Sequence, residues 1–151
     1  MVLVEPARMQ VIELAANVLG RLAADEVPLS LRPFARFAPA KRARLGSVAI
    51  AASLDRDELF RGRVAQTVAD TSPELVATLA EGGPTSAADP IDIIAAAYLT
   101  RPDGWTHIVE QATENRWAVE ARKAQPLDRA RQIHQSSRVP IRQERVVGDG
   151  R

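Results

Sequence analysis

The chain has 151 residues, 46% hydrophobic and 26% charged, with a formal net charge of +1. It contains no cysteine, which excludes disulfides, cysteine-ligated zinc, iron–sulfur clusters and thiol chemistry. The opening Met1-Val2-Leu3-Val4-Glu5-Pro6 does not read as a signal peptide, and no stretch approaches the roughly 18 apolar residues of a membrane span, so a cytoplasmic protein is expected.

The apolar set is dominated by Ala, Leu and Val, a balance that favours helices over sheet. Residues 6–23 read as a first helix, with Val11, Ala15, Val18 and Leu22 on one stripe and Pro6 tolerated in the first turn. Val27-Pro28 breaks the pattern, and a short helix follows over 29–37. Pro39 suits the first position of a third helix running to about residue 54, with Leu45, Val48, Ala49 and Ala52 on its apolar face. Asp55, with Glu58 three positions on, reads as a capping box for a fourth helix carrying Leu59, Phe60, Val64 and Val68. Ser72-Pro73-Glu74 starts a fifth helix, which Gly82-Gly83 ends. Asp89-Pro90 opens a sixth with Ile91, Ile94, Ala95 and Tyr98 on one side. After the turn Arg101-Pro102-Asp103-Gly104, residues 105–124 form a seventh, which Pro126 interrupts. The expectation is an all-α fold: a compact bundle of about six or seven short helices over 1–125, then a flexible, basic, weakly ordered tail over 126–151.

Charge is unevenly spread. Residues 28–44 hold five bases and no acid, residues 53–114 are strongly acidic, and residues 116–151 are basic again. Such asymmetry supports contact with a polyanion through the basic parts.

No catalytic constellation emerges. His107 and His134 lack carboxylates at metal-ligand spacing and read as surface residues. Asp55, Asp57 and Glu58, like Asp89 and Asp92, sit where helix N-termini stabilise acids. Gly82-Gly83-Pro84 lacks the spacing of a phosphate loop. No enzyme activity, metal or cofactor is therefore expected. The one directional feature is the basic strip. Arg32 and Arg36 are i, i+4; Lys41 and Arg44 are i, i+3 on the next helix, with Arg42 beside them. If the two helices form an angled pair, all five converge on a phosphate backbone, for which Arg is well shaped. Phe34 and Phe37 stack on bases if exposed and belong to the core if not.

The run Leu31-Arg32-Pro33-Phe34-Ala35-Arg36-Phe37-Ala38-Pro39-Ala40-Lys41-Arg42-Ala43-Arg44-Leu45-Gly46 resembles the N-terminal region of actinobacterial NYN-domain proteins, YacP-like and associated with RNA binding. A second matching stretch is Asp89-Pro90-Ile91-Asp92-Ile93-Ile94-Ala95-Ala96-Ala97-Tyr98-Leu99, continuing to Trp105. The likeness covers roughly residues 5–125. It implies a helical accessory domain in RNA processing, with RNA as partner. The strand and acids of the PIN-like nuclease domain are absent from this chain, which reads as a fragment or as a shortened member. The alternative is a non-catalytic helical module for protein interaction or oligomerisation, docking a partner on the acidic helices.

Overall fold

The computed structural model describes residues 1–85 and 87–136, with residues 125–136 described by their backbone alone. The described residues are all-helical, as expected. The helices are α1 (Glu5–Leu19), α2 (Arg32–Ala35), α3 (Pro39–Leu45), α4 (Ser47–Arg56), α5 (Glu58–Thr71), α6 (Pro73–Glu81), α7 (Pro90–Thr100) and α8 (Trp105–Ser136), with a 3-10 turn at Leu29–Leu31 leading into α2. They divide into two compact units, Met1–Arg116 and Trp117–Arg151. No helix among the described residues is long and apolar enough to cross a membrane.

The first unit is organised around α7. Its sequence predicts one apolar face, yet Ile93 to Leu99 are all buried. A helix that is apolar all round belongs at the centre of a bundle. Three consecutive alanines, Ala95 to Ala97, let α1, α5 and α6 pack against it. Ile94, Leu99, Leu19, Leu31, Ile50, Leu54 and Val64 are the largest fully buried side chains.

Several boundaries differ from the sequence reading: the first helix ends at Leu19, leaving Leu22 outside it, and the short helix expected over 29–37 is a 3-10 turn followed by α2. The helix expected over 39–54 is two helices, broken at Gly46. There the Gly46 N–H donates to the Arg42 carbonyl at 2.9 Å, and a Cβ would sit 2.8 Å from that oxygen and 3.2 Å from the Phe34 ring. The cap of α5 is Asp57, whose Oδ1 accepts from the Phe60 N–H at 3.0 Å, so Asp55 is released for another role. The sequence also places a break at Pro126, whereas α8 runs through it to Ser136. Proline removes one backbone donor there, but Glu, Ala, Arg, Lys and Gln around it are strong helix formers. The remainder of the basic tail, residues 137–151, lies outside the described residues.

Other starts match the capping chemistry. Asp89 Oδ1 accepts from the Ile91 N–H at 2.8 Å, and Gly82 ends α6 in the left-handed conformation at φ 71°. Ser72 occupies the cap position of α6 without a side-chain hydrogen bond.

Candidate nucleic-acid interface

Pro39 fixes the first turn of α3 and holds the preceding Ala38 extended, at ψ 152°. In this seven-residue helix Lys41 and Arg44 share one face because they are three apart. Arg42, about 100° further round the helix than Lys41, points the other way, toward α1. This divides the cations of the strip.

Arg42 is only 5% exposed. Its Nε donates to the Phe34 carbonyl at 3.3 Å. One terminal nitrogen donates to the Ala35 carbonyl at 2.9 Å and the Phe37 carbonyl at 2.6 Å, and the other donates to the Ala16 carbonyl of α1. Ala16 lies in the last turn of α1, where carbonyls lack an intrahelical partner and the helix dipole is negative, while the Phe34 carbonyl also accepts from the Phe37 N–H at 3.1 Å. The buried cation is therefore neutralised by peptide dipoles rather than by a carboxylate. The planar guanidinium fork makes this possible, because it reaches several acceptors at once. Gly20 leaves it room: a Cβ there would lie 2.7 Å from one terminal nitrogen of Arg42. Arg42 accordingly leaves the phosphate-binding set expected from the sequence. Its donors are consumed in pinning α1, α2 and α3 together.

Arg32, Arg36, Lys41 and Arg44 are all exposed. Arg32 opens α2 and Arg36 caps it. Among the described residues none of the four pairs with a carboxylate, whereas Arg8 pairs with Glu5 at 3.8 Å, Arg63 with Glu26 at 2.7 Å and Arg101 with Asp55 at 3.6 Å. Nor does residue 27 to residue 54 contain any acid. Phe34 is half-buried and packs on the core. Phe37 is half-buried too, with the Lys41 Nζ 4.6 Å above its ring centre. One face of Phe37 thus holds a cation, and neither ring is a bare stacking platform.

A second polar constellation escaped the sequence reading. The Tyr98 hydroxyl donates to Asp55 Oδ1, and the Arg101 guanidinium lies 3.6 Å from that same oxygen. The guanidinium also sits 4.6 Å over the Trp105 ring and 5.3 Å over the Tyr98 ring, while the two rings meet edge to face at 6.0 Å. Burial, together with the Asp55 carboxylate, raises the Tyr98 pKa to about 12, against the opposing pull of Arg101. Arg101 adopts φ 46°, the single non-glycine residue with positive φ among those described, and its Nε donates back to the Tyr98 carbonyl at 3.3 Å. The corner between α7 and α8 is closed by these contacts. Arg101 reads in the sequence as part of a turn, and only the chain path shows that Asp55, 43 residues earlier than Tyr98, faces it.

His107 is exposed on α8, and the side chain of His134 lies outside the described residues. Among the described residues no group of three or more His, Cys, Asp or Glu side chains is arranged to hold a metal ion. Comparison with models of protein families, with curated proteins and with solved structures finds no match to this chain.

Proposed function

We propose that this is a non-catalytic, RNA-binding accessory domain that holds phosphates with Arg32, Arg36, Lys41 and Arg44. The carrying observation is that these four cations are exposed on two adjoining helices with, among the described residues, no carboxylate paired to them. A surface of this kind attracts a polyanion and releases counterions when it binds one. The buried Arg42 supports the same reading indirectly, since it fixes the scaffold from which the four project. The likeness of residues 31–46 to the N-terminal region of NYN-domain proteins favours RNA over other polyanions and suggests an RNA-processing setting, with a nuclease domain supplied elsewhere.

The test is RNA affinity by fluorescence anisotropy across a salt series. Four phosphate contacts predict a log–log slope of roughly −3 on single strands and slightly steeper on duplexes. Replacing all four by alanine flattens the slope and removes binding. Wild-type protein that does not bind at low salt, or a quadruple variant that binds as well as wild type, overturns the proposal.

A further inference from the structure

Residues of α1, α4 and α7 leave a cavity of about 210 Å3 among them. Its wall is mainly apolar, with Val11 and Ile12 from α1 and Ala51 and Leu54 from α4. Val11, Ile12 and Leu54 are buried core residues, so helix packing holds this wall in place. Leu3 adds to it, and the exposed Met1 and Val2 border its outer side. A protein cavity of roughly 150 Å3 admits benzene, so this one has room for a single ring or a chain of about six carbons.

Three polar side chains border the same cavity: Arg8 of α1, Asp55 of α4 and Tyr98 of α7. Their existing contacts limit what they offer a ligand. The Tyr98 hydroxyl spends its proton on Asp55, and burial keeps the phenol protonated well above neutral pH, so its oxygen offers only a lone pair. The Asp55 carboxylate can only accept. Tyr98 and Arg101 both meet its Oδ1, and among the described residues Oδ2 accepts no hydrogen bond. Arg8 is drawn toward Glu5, 3.8 Å away. The cavity therefore presents acceptors, and its ligand must donate.

Charge narrows the choice further. Asp55 is balanced by Arg101 and Arg8 by Glu5, so little net charge remains to offset the desolvation of an ion. A carboxylate would meet two acceptors. An ammonium could donate, but would lose its hydration beside two guanidinium groups. A neutral hydroxyl on an apolar body meets both conditions.

We infer that this cavity binds a small apolar alcohol or phenol, whose hydroxyl donates to Asp55 while its hydrocarbon body packs on Val11, Ile12, Ala51 and Leu54. None of Arg32, Arg36, Lys41 and Arg44 borders the cavity, so the inference stands apart from the basic strip.

The experiment follows amide chemical shifts of isotope-labelled protein during titration with n-hexanol, hexylammonium and hexanoate, which share a tail and differ in head group. Hexanol is expected to move the amides of Val11, Ile12, Ala51 and Leu54 saturably, with a dissociation constant of about 1 mM. The two ions should bind about tenfold more weakly or worse. Ala51→Leu fills the cavity from its wall, so it should keep the wild-type melting profile and weaken hexanol binding by about tenfold or more. Ala51→Val fills less of the space and serves where Ala51→Leu lowers the melting temperature. Hexanol that moves none of these amides, an ion that binds as tightly as hexanol, or unchanged hexanol affinity in a folded Ala51 variant would each overturn the inference.

Discussion

Two arginines of the same domain are held in opposite ways. Arg42 is sunk among the carbonyls of Ala16, Phe34, Ala35 and Phe37 and, among the described residues, forms no ion pair. Arg101 lies at the surface end of α7, against the Asp55 carboxylate and the faces of Tyr98 and Trp105. The first depends on fork geometry, because four acceptors in fixed positions must be reached by one planar group. The second depends on charge and ring contact, which tolerate rearrangement. A positive charge in the sequence therefore says little about its work until its partners are known.

The sharpest way to break this comparison is to keep the charge and remove the fork. Arg42→Lys leaves a cation in the same place, but an ammonium cannot satisfy acceptors on three elements. A loss of about 3 kcal/mol or more in urea denaturation is expected, with α1 no longer fastened to α3. Crowding the same site from the other side costs less. Gly20→Ala puts a methyl 2.7 Å from the Arg42 guanidinium, and a loss of about 1 to 3 kcal/mol is expected by the same measurement.

The surface corner should respond more mildly and with a pH signature. Tyr98→Phe removes one hydrogen bond to Asp55, at about 1 kcal/mol near neutral pH. In the folded wild type the phenol titrates near 12, above its unfolded value of about 10. The neutral phenol is thus favoured by folding, and the associated stability is complete below pH 10 and is lost as pH rises toward 12. Tyr98→Phe should abolish that alkaline decline, which urea melts at increasing pH will read directly. At the small end, alanine at Arg32, Arg36, Lys41 or Arg44 should shift stability by no more than about 0.5 kcal/mol, because each is exposed and, among the described residues, in no ion pair.

The comparison also explains what the sequence revealed. Helix content, the Asp89 cap and the Gly82 stop are local chemistry, encoded within a few residues of where they act. The strip was legible as charge, but its division was not. Counting five cations in a run cannot show that α3 turns Arg42 toward α1, since that depends on which helix lies behind. The neighbours of Gly46 favour a helix, so the sequence alone carries the helix through it. The break follows from the close approach of the Phe34 ring, which is a tertiary fact. The exchange of cap between Asp55 and Asp57 has the same origin: either acid suits a helix start, and only the position of Tyr98 assigns Asp55 elsewhere. The apolar spacing puts Val48 and Ala52 on a buried helix face, whereas the turn at Gly46 leaves them outward.

One run of five cations thus contains a single structural member, Arg42, and four surface ones. Urea denaturation of the five single alanine variants tests it most directly. A loss of about 3 to 5 kcal/mol is expected for Arg42→Ala alone, with the other four within about 0.5 kcal/mol of wild type. An Arg42→Ala variant as stable as wild type, or another member of the run that costs as much, would contradict it.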